Sequence, residues 1–268
     1  MTPRTTSENA PENAPENASS VAPSNASSVA PSNASSVALD PALPQGEDKA
    51  RAVQEMFDTI APRYDLVNRI MTFRMDVGWR KRTVSALGLV PGSVVADVAC
   101  GTGDFCHELS AKGFVPIGVD FSFGMLAAAP KPFPRVQADV LALPFADGAI
   151  DGITCGFALR NFVTLDGFFD ELARAVRPGG RIALVDATTP PNPIMKFGHG
   201  IYFGKVVPLI GGLISDKAAY AYLPKSLAYM PEPDEVLAML RAAGFGDAER
   251  RLLSGGIAHL FTGTRNRD

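Results

Sequence analysis

The stretch that decides the fold is Asp97–Phe105, DVACGTGDF, which follows the β-branched pair Val94 and Val95. A short apolar run of this kind predicts a buried strand, and the two glycines after it predict a loop whose backbone approaches another group closely. Ligands of open parallel sheets lie outside the carboxyl ends of the strands, where this loop would be. We therefore expect a nucleotide-like ligand at the loop, and several nucleotide-binding folds remain compatible with that expectation.

Beyond this stretch, short apolar runs alternate with amphipathic ones. The pattern predicts strands near 94–98, 115–119, 135–138, 150–157 and 181–186, and helices near 104–112, 122–129 and 165–176. A helix near 233–243 is closed by Gly244, and the strand-like runs 248–253 and 257–263 flank the pair Gly255-Gly256. This order of elements predicts an α/β protein with a mostly parallel, doubly wound sheet and an antiparallel hairpin at one edge.

Composition limits the size and the partners of the protein. A chain of 268 residues, 46% of them hydrophobic, can bury one good core, so we expect a single domain with appendages. The net charge of -3 provides no field that would attract a polyanion, and nucleic acid is not an expected partner. The three cysteines have neither zinc-site nor disulfide-framework spacing, so we expect no metal.

The amino-terminal region differs from the rest of the chain. Its proline-rich repeats, ENAP and SSVAPSNA, are too short and polar to build a core and predict a disordered low-complexity tail over residues 1–46. Helical spacing of apolar residues begins near Asp48, so residues 47–90 are expected to form a helical cap on a domain that spans 47–268. The start, MTPRTTSENA, resembles no signal or transit peptide, and we expect a cytoplasmic protein.

Two further acids occupy the ends of the next predicted strands. Asp120 ends the run VPIGVD, and its acceptor-only carboxylate suits the two hydroxyls of a ribose. Asp139 ends the third run and is expected to accept from an adenine amino group, while the N–H of Val140 donates to the ring. Leu141 and Phe145 are expected to cover the two faces of that ring. A glycine loop, a ribose acid and an adenine acid at successive strand ends favour a nucleoside ligand.

This ordered set resembles the class I S-adenosylmethionine-dependent methyltransferases, whose first motif has the form DxGxGxG, here with Ala99 at the first small position. The dinucleotide fingerprint GxGxxG would instead require a glycine at Cys106. The resemblance implies a Rossmann-like, mostly parallel seven-stranded sheet with an antiparallel carboxyl-terminal edge hairpin, helices on both faces and S-adenosyl-L-methionine as cofactor. Asp97 would bind the ammonium of its methionine part. Gly101 and a helix starting near Thr102 would offer backbone N–H groups to its carboxylate.

Four longer segments resemble the ubiquinone/menaquinone biosynthesis C-methyltransferase family. They are MFDTIAPRYDLVNRIMTFRMDVGWR (56–80), GFALRN (156–161), VRPGGRIALVD (176–186) and DKAAYAYLPKSLAYMPEPDEVLAMLRAAGF (216–245). The resemblance covers nearly everything from about residue 50 onward, and YDxxN, LRN and DxxxYxYLxxS are its most specific parts. It departs from the family where GFALRN replaces SFGLRN and at the ending TGTRNRD. The family methylates a ring carbon of a prenylated quinol, commonly demethylmenaquinol to menaquinol.

Under this resemblance four residues are assigned to the chemistry. Arg160 is expected to stabilise the quinolate or to orient water, and Asn161 to hold a quinol oxygen. Tyr64 and Asp65 are expected to close over the ring, with Asp65 or a water taking the proton. The alternative is that Arg160 is paired with an acid at a helix end and that Tyr64 only packs. The three histidines are dispersed and are expected to be structural or exposed: His107, His199 and His259.

The run Phe197–Ile214 is the most apolar stretch of the chain, but its glycines, its proline and its polar residues argue against a membrane span. It is either a core or lid helix, or a surface that accepts an apolar substrate or touches a bilayer. The expected partners are a prenylated quinol and, peripherally, the inner face of the cell membrane; a homo-oligomer is left open. Two other functions also remain open: methylation of another small hydroxyaromatic or a ubiquinone-type benzoquinol, and an inactive cofactor-binding partner protein.

Overall fold

The glycine loop follows the central strand of a seven-stranded sheet in the computed structural model, which describes residues 46–207, 209–210 and 226–267. The strands are β1 (Val94–Val98), β2 (Val115–Asp120), β3 (Arg135–Gln137), β4 (Ile150–Gly156), β5 (Val176–Ala187), β6 (Glu249–Leu253) and β7 (Ala258–Thr264). They lie in the order β3-β2-β1-β4-β5-β7-β6. Strands β1 to β5 pair in parallel, and β7 lies antiparallel between β5 and β6.

Helices surround this sheet. They are α1 (Gly46–Ile60), α2 (Tyr64–Met71), α3 (Met75–Ala86), α4 (Asp104–Ala111), α5 (Phe123–Ala127), α6 (Leu165–Ala175), α7 (Pro193–Ile201) and α8 (Pro233–Ala242). Several begin at side-chain caps: Ser122 accepts from the N–H of Met125, and Thr164 accepts from that of Gly167. A π-helical segment, Tyr202–Val206, continues α7.

The core divides between the two faces of the sheet because neighbouring residues of a strand point to opposite sides. In β5, Ile182 and Leu184 belong to one buried cluster, which also holds Phe168 of α6. Ala183 and Val185 belong to a second cluster, which holds Trp79 of α3. The sheet is therefore covered by helices on both faces, and the fold expected from the sequence is confirmed.

Local differences from the expected elements have physical reasons. Helix α4 begins at Asp104, as the pattern 104–112 predicted, and thus two residues after Thr102, because Gly103 is left-handed with φ +88° and caps the helix. Strand β5 begins five residues earlier than expected, at Val176, and includes the turn-like Gly179 with φ +75°. The hairpin turn at Gly255-Gly256 and the left-handed Gly244 at the end of α8 lie where they were expected.

Some expectations fall on residues outside the described ranges. The tail 1–46 lies outside them except for Gly46, where α1 begins, and of the segment 216–226 only Ser226 is described. Helix α7 with its π-helical continuation covers the first part of the apolar run 197–214. Among the residues that are described, no helix is long and apolar enough to span a bilayer.

Candidate active site

A cavity of about 160 Å³ opens where the carboxyl ends of the parallel strands meet, and we call it the strand-end cavity. Residues that follow β1, β2, β3 and β4 line it, and α1 and α2 close it from the other side. Its walls include most of the candidate site residues: Gly101, Thr102, Asp120, Asp139, Val140, Asn161, Tyr64 and Asp65. The structure thus brings together eight of the ten residues singled out from the sequence.

The glycine loop reaches this cavity through backbone conformations that favour glycine. Ala99 has φ +54° and Gly101 φ +56°, so the loop turns in the left-handed region on both sides of Cys100. A Cβ at Gly101 would lie 2.9 Å from Cε of Met125. Gly103 is constrained differently, because a Cβ there would meet the ring of Phe133, away from the cavity. Gly101 therefore shapes the cavity wall, and Gly103 allows the loop to pack.

Asp120 joins the glycine loop to the end of β2. Its Oδ2 accepts from the N–H of Gly101 at 2.7 Å, and its Oδ1 accepts from the N–H of Ser122 at 2.8 Å. Each carboxylate oxygen has two acceptor sites, so both retain capacity for a ligand hydroxyl. Burial raises the pKa of Asp120, and a bound ligand that donates to the carboxylate favours its charged form.

The residues after β3 form the next part of the wall. The N–H of Leu141 donates to Oδ1 of Asp139 at 2.9 Å, which leaves the other carboxylate oxygen of this exposed side chain available. Leu141 lines the cavity, as expected for one face of a planar ring. Phe145 does not, because its ring packs against the core; Phe121, directly after Asp120, lines the cavity beside this part of the wall.

Asp97 lies beneath the loop and is not part of the cavity wall. Its side chain is fully buried, and its Oδ1 accepts from the hydroxyl of Thr154 at 2.9 Å. Burial raises the pKa of Asp97 to about 8, so its carboxyl is mostly protonated at neutral pH. Asp97 therefore lies near the end of β1, outside the cavity wall to which Gly101 and Thr102 belong.

The amino-terminal cap is attached to the loops by side chains. The hydroxyl of Thr102 donates to Oδ1 of Asp65 at 2.6 Å, and the N–H of Gly124 donates to Asp58 at 2.9 Å. Nζ of Lys49 donates to the carbonyl of Phe162 at 2.7 Å. These contacts hold α1 and α2 over the strand-end cavity.

Arg80 is a cavity residue that the sequence reasoning missed. Its guanidinium contacts Asp76 at 2.7 Å and Asp104 at 3.1 Å, and only 8% of the residue is exposed. Arg80 lines the strand-end cavity, and its contact with Asp104 ties it to the start of α4 beside the glycine loop. The four-residue spacing of Asp76 and Arg80 within the expected helical cap was the available signal.

A second cavity of about 310 Å³ adjoins the first and is mostly apolar, and we call it the apolar cavity. The two cavities share walls made by α1, α2 and the end of β4: Phe57, Tyr64, Asn68 and Phe157. Phe157 has φ +60°, a left-handed conformation that is costly for a bulky side chain and is held by its N–H bond to Val185. The ring of Phe157 thus stands between the two cavities.

Arg160 and Asn161 face different cavities. Asn161 is in the wall of the strand-end cavity, and its buried Oδ1 has no hydrogen-bond partner among the described residues. Arg160 lines the apolar cavity, where its guanidinium is paired with Asp186 of β5 and its Nε donates to the hydroxyl of Ser226 at 3.0 Å. The alternative of an arginine paired with an acid is therefore realised, although the acid ends a strand rather than a helix.

His199 also lines the apolar cavity, a position that the sequence did not indicate. Its ring stacks on Phe203 at a centroid distance of 4.3 Å, and Nε2 is buried without a hydrogen-bond partner in the described part of the chain. Burial lowers the pKa of His199. No local sequence signal could have found it, because its neighbours in the cavity come from α2 and from the chain after β4.

The polar groups of the strand-end cavity fit S-adenosylmethionine. Asp120 and Asp139 retain acceptor capacity for the hydroxyls of a ribose and the amino group of an adenine. When bound, this cofactor supplies an electrophilic methyl group on a sulfonium. The sheet order and this site together define a class I S-adenosylmethionine-dependent methyltransferase.

Known proteins agree with this class. Residues 45–265 match the ubiE/COQ5 methyltransferase family, and the chain belongs to that family. It is 40% identical over 231 residues to the demethylmenaquinone methyltransferase of Roseiflexus castenholzii, an alignment that covers 83% of this chain and 97% of the relative. It is 38% identical over 230 residues to the ubiquinone/menaquinone biosynthesis C-methyltransferase UbiE of Geotalea daltonii, with 81% and 98% covered. A solved SAM-dependent methyltransferase of Thermotoga maritima shares the fold, with a TM-score of 0.57 at 16% identity and 80% and 99% coverage.

Proposed function

We propose that this enzyme methylates a ring carbon of a prenylated quinol, converting demethylmenaquinol to menaquinol. The observation that carries the proposal is the apolar cavity beside the strand-end cavity, with Tyr64 and Phe157 in the walls of both. A flat, apolar ring fits among its aromatic and methionine side chains, next to the site for the methyl donor. The names of the two relatives above support the same substrate class.

The cofactor assignments follow the walls of the strand-end cavity. The backbone of Gly101 and Thr102 faces the methionine part, and Asp120 takes the ribose hydroxyls. Asp139 and the N–H of Val140 hold the adenine between Leu141 and Phe121. Asp97 lies outside the cavity wall, and the methionine ammonium favours the charged form of its carboxyl without direct contact.

The remaining assignments concern the quinol. Asn161 accepts a hydrogen bond from a ring hydroxyl, because its Oδ1 is buried and unpartnered among the described residues. Tyr64 positions the ring from the wall that both cavities share. The cation of Arg160 faces the apolar cavity and favours the quinolate, although its pairing with Asp186 reduces its effect. Positioning of donor and acceptor supplies most of the acceleration, roughly 7–11 kcal/mol.

The outer rim of the apolar cavity has a composition that suits contact with an anionic bilayer. Four large apolar side chains are exposed on α7 and on the α2–α3 turn, and two exposed cations accompany them; we call this the mouth surface: Phe73, Ile194, Phe197, Ile201, Arg74 and Lys196. Phe73 itself lines the cavity, so the surface is continuous with it. Apolar area and positive charge together favour peripheral binding at an anionic membrane, where a prenylated substrate resides.

The test is an anaerobic assay of purified protein with labelled S-adenosylmethionine and three acceptors: demethylmenaquinol, the corresponding demethylated benzoquinol, and an unprenylated naphthoquinol. We expect the label in menaquinol, identified by mass spectrometry. Labelling only of the benzoquinol or of another hydroxyaromatic would contradict the proposed substrate. If the cofactor binds but no acceptor is labelled, the proposed function fails.

A further inference from the structure

A proton must leave the substrate hydroxyl before the ring carbon becomes a strong nucleophile, because a phenol-like pKa is near 10. Because the proposed function places the ring in the apolar cavity, the group that accepts this proton is expected to line that cavity. Within the described residues, no carboxylate lines this cavity. Its titratable side chains are Tyr64, Arg160, His199 and Tyr202.

Three of these four groups are unsuited to accept a proton at neutral pH. Arg160 is a permanent cation and is already paired with Asp186. The hydroxyl of Tyr202 donates to the carbonyl of Met71 at 2.8 Å, and burial raises its pKa. Tyr64 is a second phenol, and a phenol is a poor proton acceptor at neutral pH. The fourth, His199, has a buried Nε2 without a hydrogen-bond partner in the described ranges.

Asp65, the acid expected from the sequence, is placed differently. It lines the strand-end cavity and not the apolar one. Its Oδ1 accepts from Thr102, and its Oδ2 lies 3.9 Å from Arg69. Asp65 therefore lies on the cofactor side, where it is suited to holding the cap on the loop.

The geometry points to His199 as the general base of the reaction, an inference that rests on the proposed function. The O–H bond of the quinol breaks as its proton passes to Nε2. The electron pair left on oxygen is donated into the ring, and a pair from the ring forms the carbon–carbon bond to the methyl group. At the same time the bond between that methyl group and sulfur breaks, and its electrons remain on sulfur. The methylated carbon then loses its own hydrogen as a proton, the imidazolium returns a proton to the oxygen, and one proton is released in total.

The environment of the imidazole keeps it neutral and oriented. Its stack on Phe203 fixes the ring plane, and the π-helical segment that contains Phe203 begins at the next turn of the helix. Such segments often occur at functional sites. Burial lowers the pKa of His199, and the cation of Arg160 faces the same cavity, while Lys196 and Lys205 on its own helix are exposed. A neutral imidazole at pH 7 is the form that can accept a proton.

The experiment compares His199→Asn and His199→Gln with the wild type and with His107→Asn, a control on α4 outside both cavities. We expect kcat with demethylmenaquinol to fall about 10²- to 10⁴-fold in the His199 variants, with KM nearly unchanged. The wild-type rate should also fall toward acidic pH as the imidazole becomes protonated, with a midpoint below that of an ordinary histidine because burial lowers the pKa of His199. The variants should lack this acid limb and gain rate with each pH unit toward 10, where the hydroxyl ionises unaided.

A second measurement uses cofactor-free protein. The three histidines make the imidazole signals assignable by NMR, and 1-naphthol serves as the hydroxyaromatic probe. We expect the probe to shift the signals of His199 and to quench the single tryptophan, Trp79, which lines the same cavity.

Variants that keep kcat and the acid limb would overturn the role of His199, as would a rate loss without recovery at high pH. Loss of both kcat and the acid limb in Asp65→Asn, but not in the His199 variants, would assign the proton to Asp65 instead. A wild-type protein that binds the cofactor and methylates no quinol would instead refute the proposed function.

Discussion

Thr102 in the glycine loop donates a hydrogen bond of 2.6 Å to Oδ1 of Asp65 in α2, and this bond links the amino-terminal cap to the loop that faces the cofactor. A hydrogen bond to a charged acceptor contributes about 1.5–3 kcal/mol. Because both residues line the strand-end cavity, the energy of the bond is available to close the cap over a ligand.

Thr102→Val should therefore weaken S-adenosylmethionine binding about tenfold or more, as measured by calorimetry, since it removes the donor and keeps the shape. Adding Thr102→Val to the Asp65→Ala variant should weaken cofactor binding little further, because the hydrogen-bond partner of Thr102 is already absent. Thr59→Val, at an exposed position of α1, is the control. Additive losses from the two changes would show that the bond does not couple cap and loop.

Burial raises the pKa of Asp97 to about 8 from its ordinary value near 4, so at neutral pH the folded protein holds a proton that the unfolded chain does not. The stability that this proton provides is fully present below about pH 4 and is lost as the pH rises through about 8. The control is Asp97→Asn, which keeps an acceptor for Thr154. The urea midpoint of the wild type minus that of Asp97→Asn should decrease between pH 5 and pH 8.

The same acid provides a test of its role toward the cofactor. A methionine ammonium near Asp97 favours the carboxylate, so binding at pH 7 should release about one proton. Calorimetry in two buffers of different ionisation enthalpy measures this number, which should approach zero in Asp97→Asn. Asp151→Asn serves as the control because Asp151 is partly exposed and its pKa is already lowered by Arg177. Equal proton release in wild type and Asp97→Asn would separate Asp97 from the ammonium.

Much of the fold was predictable because its signals are local. Apolar runs of strand length and glycines at turns located β1 and the hairpin near Gly255, and Asp120 and Asp139 could be placed in one cavity because parallel strands end at the same edge. Phe145 was assigned to the cavity wrongly. Its distance along the chain from Asp139 gave no information on which way its ring points, and the ring packs in the core.

The parts of the site that the sequence did not predict depend on contacts between distant segments. The partner of Arg160 is Asp186, on another strand, and nothing near either residue indicates the pair. The other walls of the cavity that His199 lines come from helices that are near it only in the folded chain. Hydrophobic periodicity reports burial along one element, and it carries no information on which polar groups from different elements meet.

Ala99 occupies a left-handed conformation, with φ +54°, at the first small position of the glycine motif. This conformation costs an L-residue about 1–2 kcal/mol. Glycine avoids that strain, but the greater freedom of its unfolded chain destabilises the folded state by about 0.4–1 kcal/mol. Ala99→Gly should thus raise the free energy of unfolding by up to about 1 kcal/mol in urea titrations. Ala238→Gly, at an exposed interior position of α8, should lower it by about 1 kcal/mol. Destabilisation by both changes would be inconsistent with strain at Ala99.

The mouth surface predicts that loss of its apolar side chains raises the KM only for substrates embedded in a membrane. Replacing Ile194 and Phe197 by serine removes two of its most exposed apolar side chains. The double variant should bind vesicles of phosphatidylglycerol and phosphatidylcholine at least tenfold more weakly in sedimentation assays. Its KM should rise for long-chain demethylmenaquinol in those vesicles and stay unchanged for a short-chain quinol in solution. Serine at Val90 and Leu252, which are exposed elsewhere, is the control, and an equal loss there would argue against a specific mouth surface.

Arg160 combines a structural and a chemical assignment, and its pairing with Asp186 makes the two separable. Arg160→Ala leaves Asp186 fully buried without its cation, which should lower the free energy of unfolding by about 3–5 kcal/mol. Arg160→Ala with Asp186→Asn should recover part of this loss, since the buried charge is removed. Arg51→Ala, which breaks an exposed pair with Asp48, should change stability by less than about 1 kcal/mol.

The activity of the same variants then distinguishes the two roles of Arg160. Calorimetry should show S-adenosylmethionine binding to both Arg160 variants, because Arg160 lines the apolar cavity and not the strand-end cavity. We expect the double variant to remain inactive with demethylmenaquinol at a temperature where it is folded, since the cation that favours the quinolate is missing. Recovery of turnover together with stability would show instead that Arg160 only neutralises Asp186, and the quinolate would then depend on Asn161 and on proton transfer to His199.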